Sequence, residues 1–260
     1  MMPPHLPSHL QRLLAGYGWH ENRDGMSGVH VYRLHKSGAP DLFLKLADDP
    51  LHLDLLPECE RMQWLRGKLP VPEVIDFGQD AGQQWLLMTA VPGHDTSQPY
   101  LLRDPQRLVT LLAEGLRLIH KVDWRDCPFQ RSADMMIAAA CDRVLQGQVD
   151  ETDFDDERQG QSAQSLLELL TTTRPAVEEL CFVHGDYCLP NILVNGDHLS
   201  GFIDWGRAGV ADRYQDLALA ERSIVYNLSP EWVQPFFEAY GLPHIDAERL
   251  AFYKLLDEFF

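Results

Sequence analysis

One segment of the chain combines the side chains that phosphoryl transfer needs. It reads His184-Gly185-Asp186-Tyr187-Cys188-Leu189-Pro190-Asn191 and is followed by Ile203-Asp204-Trp205-Gly206. A carboxylate such as Asp186 can accept or orient the proton of a substrate hydroxyl group. The oxygens of Asn191 and Asp204 are ligands that Mg²⁺ prefers when it holds nucleotide phosphates. The segment therefore predicts a metal-assisted transfer in which Asp186 is catalytic.

The order and spacing of these residues support the same chemistry. An aspartate followed five positions later by an asparagine, and then by an Asp-x-Gly sequence, is typical of kinase catalytic segments. Asp186, Asn191 and Asp204 occur in that order. A turn at Asn195-Gly196-Asp197 predicts a hairpin, which would bring the three side chains to one edge. Because each residue alone is more typical of an ordinary turn, the prediction rests on their combination.

A second candidate site lies upstream, around Lys45. A kinase needs a lysine for the α- and β-phosphates and a helical glutamate to pair with it. Lys45 lies in an apolar run, where a charge is costly unless it is paired, although a lysine on an exposed edge strand is an equally ordinary interpretation. The helix predicted next offers Glu58 and Glu60, and the residues alone favour neither. The stretch at 24–31 could cover phosphates with its backbone N–H groups, although it lacks a full G-x-G-x-x-G.

The elements that must position these residues fall into two parts. Residues 1–91 are rich in β-prone runs separated by turns, whereas residues 92–260 are rich in apolar residues at helical spacing. We therefore predict an α+β fold with a small antiparallel-sheet lobe (1–91) and a mainly helical lobe (92–260). The predicted strands cover 30–34, 42–46, 84–89, 180–183, 191–194 and 201–203, and the predicted helices cover 58–66, 107–120, 165–170, 214–226, 231–240 and 247–259.

The composition limits the partners of the chain. Its 260 residues carry 39 acidic and 22 basic side chains, a formal charge of −17. That charge argues against nucleic acid and against an anionic membrane surface, which both require positive patches. No apolar run approaches the ~20 residues that span a bilayer, and the first residues do not resemble a signal peptide. With five scattered cysteines, we expect a cytoplasmic protein with reduced thiols.

Several of these motifs resemble the aminoglycoside 3′-phosphotransferases, and the likeness extends over nearly the whole chain. The resemblance implies a protein-kinase-like, two-lobed fold and transfer of the ATP γ-phosphate, with Mg²⁺, to the 3′-hydroxyl of kanamycin- or neomycin-type antibiotics, which gives resistance. The matching segments are His184-Gly185-Asp186 with Asn191, Ile203–Arg207, Ala211–Asp216, Leu255–Phe260, Trp64-Leu65 and Leu86–Met88.

The resemblance also assigns roles to the residues of the nucleotide site. Asp186 is similar to the catalytic base of the family, and Asn191 and Asp204 are similar to its magnesium ligands. The spacing to Trp64-Leu65 selects Glu58 rather than Glu60 as the partner of Lys45. Two positions depart from the family pattern, because Trp205 is bulky for its place and Ser223 stands where some members have aspartate. The predicted nucleotide-binding residues are Ser27, Phe43, Lys45, Glu58 and Met88.

The acidic residues of the chain fit a polycationic substrate. A dense acidic stretch covers 150–157, and by itself it would be an ordinary solvated loop. In the family the matching loop helps to cover the antibiotic, and the C-terminal residues also contact it. Arg207 is a further candidate, either for the transferred phosphoryl group or for the acidic pocket. The predicted substrate-binding residues are Asp155, Asp156, Glu157, Arg207, Asp257, Glu258 and Phe260, the last through its terminal carboxylate.

Other functions fit the sequence less well. A zinc site at Cys181, His184 and Cys188 lacks a fourth ligand with suitable spacing, and a glycosidase carboxylate pair would explain neither Lys45 nor Asn191. Two alternatives stay open. One is a related small-molecule kinase that acts on another aminoglycoside position, a macrolide, choline or a sugar. The other is a non-catalytic kinase-like binding protein. We expect a monomer or a weak dimer that binds antibiotic and nucleotide.

Overall fold

Packing divides the chain into two units. The computed structural model describes residues 6–22, 28–48, 53–80 and 82–260. The first unit comprises Met1–Pro92 with Ser200–Gly206, and the second comprises Gly93–Leu199 with Arg207–Phe260. The sheet-rich first unit therefore includes a short segment from far along the sequence, Ser200–Gly206, and that segment contains Asp204.

The first unit is built on a five-stranded sheet in the order β1-β2-β3-β5-β4, in which all neighbouring strands are antiparallel. Proline in the first turn of α2 suits a helix start, because its missing N–H has no partner there in any case. A bulge between Val74 and Asp76 shifts the register of β4. The described elements are α1 (Ser8–Leu13), β1 (Gly18–Asn22), β2 (His30–His35), β3 (Leu42–Ala47), α2 (Leu56–Leu65), β4 (Val74–Asp80) and β5 (Gln83–Thr89).

The two faces of this sheet have different characters because side chains alternate along a strand. One face packs Leu42, Leu44 and Leu46 of β3 into an apolar cluster with Leu10 of α1 and Leu87 of β5. The intervening residues of β3 point to the other face. The apolar cluster fixes the register, so it also fixes which residues the opposite face presents.

The second unit is mainly helical. Four of its helices begin at a side-chain cap, since Asp104, Ser132, Ser162 and Asp246 each accept a hydrogen bond from the backbone N–H three residues on, which satisfies an otherwise unpaired donor. β7 pairs with β10, and β6 pairs with β8. The strand β9 (His198–Phe202) begins in the second unit and ends in the Ser200–Gly206 segment of the first. The other described elements are β6 (His94–Asp95), α3 (Pro105–His120), α4 (Ala133–Leu145), α5 (Ala163–Thr172), β7 (Leu180–Val183), β8 (Ile192–Asn195), β10 (Gly209–Asp212), α6 (Tyr214–Asn227), α7 (Val233–Tyr240) and α8 (Ala247–Asp257).

Most of the predicted elements are present, with three corrections. The stretch at 231–240 opens with a 3-10 helix at Pro230–Trp232, and α7 begins only at Val233. Asn191 ends another 3-10 helix rather than starting a strand, because Pro190 imposes a turn. The strand predicted at 201–203 is β9, which ends at Phe202. Elements that the sequence did not predict are α1, β1, β4, β6, α4 and β10.

Two further observations concern membranes and cysteines. No helix in the described ranges is long and apolar enough to cross a bilayer. All five cysteines lie in the described part of the chain, and none of them forms a disulfide there. Burial raises the pKa of the Cys181 thiol well above its usual value, and the nearby Asp216 and Asp212 carboxylates raise it further. Cys181 is therefore protonated at neutral pH and suits packing rather than nucleophilic chemistry.

Candidate active site

The Asp186 loop follows β7 in the second unit. Gly185 has a φ of +82°, and a Cβ at that position would collide with the backbone carbonyl of Arg207, so glycine is required there. Asn191 donates from Nδ2 to the Asp186 carbonyl at 2.9 Å and to its Oδ2 at 2.8 Å. These bonds hold the Asp186 carboxylate in one orientation and leave the amide oxygen of Asn191 directed elsewhere. The two residues predicted to act together are thus neighbours.

A buried carboxylate holds the start of this loop through hydrogen bonds to its backbone. Asp216, in the first turn of α6, is wholly buried and accepts the backbone N–H groups of His184 and Gly185, each at 2.8 Å. The ring of His120 contacts Asp216 through Nε2 at 3.1 Å and the hydroxyl of Tyr240 through Nδ1 at 2.8 Å. Because a carboxylate only accepts, Nε2 carries the proton in the contact with Asp216. Asp216 therefore fixes the backbone that leads to Asp186.

Further contacts complete the loop. The Tyr187 hydroxyl donates to the Leu112 carbonyl at 2.7 Å. The backbone N–H of Leu189 donates to the hydroxyl of Ser223 at 3.0 Å. Ser223, which departs from the family pattern, thus has a clear role here: it binds the loop that carries Asp186 and Asn191. An aspartate at this position would bring a charge to a largely buried place.

The first unit holds the lysine site. Lys45 on β3 donates to both carboxylate oxygens of Glu58, at 2.9 and 2.8 Å, and also contacts Asp204. Glu58 is buried, whereas Glu60 is exposed. Burial lowers the pKa of Lys45, but the Glu58 and Asp204 carboxylates outweigh it and raise the pKa above its usual value. Lys45 is therefore a fully charged cation, which suits phosphate binding.

The sheet face around Lys45 offers a surface for a flat ring. Phe43 lies two residues before Lys45 on β3, and its partner across the strand pair is Met88 of β5. Residues two apart share a face, so Phe43, Lys45 and Met88 lie on the same side of the sheet, opposite the apolar cluster. Ser27, which the sequence places in the phosphate loop, falls outside the described residues.

Asp204 adopts an unusual backbone conformation. Its φ of +63° makes it the one non-glycine residue of the described chain in the left-handed region, which costs energy that aspartate tolerates better than most residues. The neighbouring Trp205 is buried; its indole N–H donates to the Phe202 carbonyl at 3.1 Å, and its ring packs edge-on against Phe202. The bulky Trp205 therefore anchors the turn that presents Asp204.

Asp204 in the first unit and Asn191 in the second each carry an oxygen of the kind that a hard divalent cation binds. The Asp204 side chain is 42% exposed, so its carboxylate is accessible. The amide oxygen of Asn191 is directed away from the Asp186 groups that its nitrogen binds. Both are ligands of the kind that Mg²⁺ takes. In the described ranges, no group of three or more His, Cys, Asp or Glu side chains is arranged to hold a metal ion.

An acidic pocket of about 390 Å³ opens in the second unit. Arg207 joins it to the Asp186 loop, because the Arg207 backbone meets Gly185 while its side chain lines the pocket. Five carboxylate side chains and three guanidinium groups face it. The lining residues are Arg143, Gln148, Val149, Asp150, Asp153, Asp155, Arg207, Arg222, Asp257, Glu258, Phe259 and Phe260.

The structure thus gathers five of the seven predicted substrate residues in one pocket: Asp155, Arg207, Asp257, Glu258 and Phe260. The other two, Asp156 and Glu157, are exposed and do not line the pocket. Sequence reasoning missed Arg143 and Arg222. A single arginine in an amphipathic helix is typical of a solvated face, so no signal in the sequence marks either residue.

Glu258 has the most perturbed environment in the pocket. Its carboxylate accepts from Arg158 Nη1 at 2.9 Å and from the Asp155 backbone N–H at 3.1 Å. Burial raises the pKa of Glu258 to about 7, and the neighbouring Asp155 carboxylate adds to the effect. The folded protein therefore binds a proton here that the unfolded chain releases at lower pH.

This raised pKa predicts a specific pH dependence of stability. Between about pH 4.5 and 7 the folded state holds more protons than the unfolded state, so the Glu258 contribution to stability falls as pH rises through that window. Glu258→Gln should remove the effect. The difference in free energy of unfolding between wild type and variant, measured by urea titration at pH 5 and pH 8, should change by about 1–3 kcal/mol. Parallel pH profiles would contradict the assignment, and Asp156→Asn is the exposed control.

Comparisons with known proteins agree with this geometry. The model of the phosphotransferase enzyme family matches residues 19–253. An aminoglycoside 3′-phosphotransferase of Niallia circulans is 40% identical over 255 residues, which cover 98% of this chain and 97% of that protein. The crystal structure of an aminoglycoside-3′-phosphotransferase of type VIII superposes with a TM-score of 0.87 at 39% identity and covers 97% of each chain.

A more distant structure was solved with ligands. An aminoglycoside phosphotransferase from Streptomyces rimosus, in complex with ADP and streptomycin, has a TM-score of 0.79 at 27% identity and covers 96% of this chain and 95% of that one. These matches confirm the kinase-like α+β fold that the sequence predicts. Both the family model and the relatives span nearly the whole chain. The chain belongs to the phosphotransferase enzyme family.

Proposed function

We propose that this chain transfers the γ-phosphoryl group of ATP to the 3′-hydroxyl of aminoglycoside antibiotics of the kanamycin and neomycin class, and so confers resistance. The observation that carries the proposal is the acidic pocket beside the Asp186 loop. Aminoglycosides are polycations with many hydroxyl groups, so they match both the charge of the pocket and the need for an alcohol acceptor. The aminoglycoside 3′-phosphotransferase relatives support the position of transfer.

The nucleotide roles follow from the first unit. We assign Phe43 and Met88 to the adenine ring, because they are cross-strand partners on the face of the sheet that also carries Lys45. Lys45, oriented by Glu58, is assigned to the α- and β-phosphates. Ser27 remains the predicted phosphate-loop residue. The ADP complex of the Streptomyces rimosus relative supports ATP as the phosphoryl donor.

Asn191 and Asp204 are the residues that we expect to hold Mg²⁺. Bound magnesium would neutralise charge on the phosphates during transfer. Asp204 also contacts Lys45. Asp204 would supply a carboxylate oxygen to the metal, while the two hydrogen bonds to Glu58 would hold Lys45 in position.

Asp186 then acts on the substrate alcohol. Its carboxylate accepts a hydrogen bond from the 3′-hydroxyl and takes the proton as the oxygen attacks. The new bond joins that oxygen to the γ-phosphorus, and the bond from the γ-phosphorus to the β–γ bridging oxygen breaks, which releases ADP. Because the transition state is loose, positioning and charge stabilisation contribute more than strong base catalysis. Arg207 lines the adjoining pocket and is assigned to substrate binding.

The alternatives differ in ways that experiment resolves. A kinase for a neutral acceptor would have little use for five pocket carboxylates. A non-catalytic binding protein would be expected to lack part of the set Lys45, Asp186, Asn191 and Asp204, and all four are present. Because ATP is the donor, we propose that the enzyme works in the cytoplasm. We retain the prediction of a monomer or a weak dimer.

A substrate panel tests the proposal. Purified protein with MgATP should release ADP with kanamycin A and should not release it above background with 3′-deoxykanamycin A, which should instead inhibit. Choline and a simple sugar serve as neutral or monocationic acceptors. Equal turnover of the deoxy compound would show that another hydroxyl is the acceptor. No ADP release with any aminoglycoside would reject the proposal.

Loss of the lysine should affect the nucleotide step. Lys45→Met leaves Glu58 buried without its cation and removes the phosphate contact. We expect the Kd for MgATP, measured by isothermal titration calorimetry, to rise about 10- to 100-fold, in line with the loss of a charged hydrogen bond. Affinity for kanamycin should stay within about twofold. The control is Lys36→Met, a surface lysine that contacts the Ala15 carbonyl. Unchanged MgATP affinity in Lys45→Met would refute the role.

A further inference from the structure

Arginines of the chain already pair with three of the five carboxylates of the acidic pocket, Asp155, Asp257 and Glu258. The Oδ1 atom of Asp257 accepts a hydrogen bond from Arg207 Nη1 at 3.0 Å, and its Oδ2 atom contacts Arg222. Arg222 Nη1 also lies 3.6 Å from Asp155, and Arg158 lies 3.4 Å from the same carboxylate. A cationic substrate therefore meets carboxylates that are already paired with cations of the protein.

Arg222 differs from the other pocket arginines in what it contacts. Arg207 also donates to the backbone carbonyl of Phe260, and Arg143 donates to that of Phe259; these are tethers that hold the last residues of the chain in place. Arg222, by contrast, reaches from α6 to carboxylates on two separate segments, the 150–157 stretch and the end of α8. Its guanidinium therefore bridges the two acidic walls of the pocket.

The Arg222 side chain is partly accessible to solvent. It is 36% exposed, similar to the 38% of Arg207, whereas that of Arg158 is only 12% exposed. Arginine has a long side chain whose charged end can move into water while its stem stays packed. Asp257 is 16% exposed, so water and salt screen the pair with Arg222 in part. Replacement of the guanidinium by another cation would leave the local charge unchanged.

We propose that Arg222 is an internal competitor of the cationic substrate: its guanidinium occupies an ammonium site between Asp155 and Asp257, and binding exchanges it for an ammonium group of the substrate. This inference rests on the proposed function and adds the residue that limits affinity for polycations. The exchange replaces the ion pairs of Arg222 with those of the substrate and involves no covalent bond. In the free protein Arg222 also reduces repulsion between the two acidic walls, which keeps the pocket formed until substrate arrives.

The test is a set of charge variants titrated with kanamycin A by isothermal calorimetry. Arg222→Gln removes the competitor, so the Kd should fall roughly three- to tenfold, and the affinity should decline more steeply with added salt. Arg222→Lys keeps the charge and should stay close to wild type. Arg125→Gln is the matched control, because Arg125 is exposed and paired only locally with Asp123; its Kd should not change. A weaker or unchanged Kd in Arg222→Gln would overturn the proposal.

A second measurement does not depend on the stability of any variant. The Nε–H of Arg222 in the wild-type protein is followed by ¹⁵N NMR during titration with kanamycin A, with the signal assigned by its absence from Arg222→Lys. Exchange predicts that the signal moves to the position of a solvated guanidinium as the site fills. A signal unchanged at saturation would overturn the proposal while leaving the proposed function intact. Wild-type protein that binds no kanamycin would instead reject both.

Discussion

Asp186→Ala should lower kcat for kanamycin phosphorylation by about 10²–10⁴-fold, the range expected when a positioned acid–base group is removed. Nucleotide affinity should stay within about twofold of wild type, because Asp186 belongs to the substrate side of the reaction. The loop should survive the change: Asn191 Nδ2 still donates to the backbone carbonyl of residue 186. Coupled ADP release gives kcat, and calorimetry with MgATP gives the Kd.

The comparison with Asp204→Ala makes this result specific. Asp204 is assigned to the metal, so its loss should weaken MgATP binding as well as turnover. Asp123→Asn removes one exposed carboxylate of the second unit and should leave both quantities unchanged. If Asp186→Ala lost nucleotide affinity together with turnover, the two aspartates would have exchanged roles, and the catalytic assignment would be wrong.

Asp216→Ala should have the largest effect on stability. The substitution would leave three buried donors without their acceptor: the N–H groups of His184 and Gly185 and the ring N–H of His120. Each unsatisfied buried donor costs about 1–3 kcal/mol, so three donors predict a loss of at least about 3 kcal/mol, a large part of the stability of an ordinary domain. Urea unfolding followed by circular dichroism measures it.

The effect of Asp216 on catalysis is separable from its effect on folding. Asp216→Asn keeps one carbonyl acceptor but places an NH₂ group against a donor, so it should retain part of the stability. At a temperature where this variant is folded, its kcat should still fall, because the backbone before Asp186 is no longer held, while the KM for ATP should change little. Wild-type stability and kcat in Asp216→Ala would contradict the supporting role.

The sequence was informative where local chemistry restricts the answer. A lysine inside an apolar run needs a partner, and Lys45 has one in Glu58. The residues alone did not decide between Glu58 and Glu60, because that choice depends on how α2 is rotated toward β3, a tertiary property. The family resemblance supplied it. The hairpin turn at Asn195-Gly196-Asp197 was also predicted from the sequence, and it joins β8 to β9.

Other features had no local signature. In the sequence Asp216 is an acidic residue in the first turn of a helix, where such residues are common, yet it is wholly buried and binds the backbone that leads to Asp186. β4 mixes polar and apolar residues across a bulge, so its alternation is too weak to predict. The convergence of Arg143, Arg207 and Arg222 on the acidic pocket arises from residues far apart along the chain and is visible only in the folded protein.

The most direct test of the central claim is the structure of the reaction product. Kanamycin A is incubated with the enzyme and MgATP, and the product is examined by two-dimensional ¹H–³¹P NMR. We predict one phosphate monoester, with its phosphorus coupled to the proton on C3′, and one equivalent of ADP. Phosphorus coupled to a proton at any other ring position, or ADP release with free phosphate and unmodified antibiotic, would contradict the proposal.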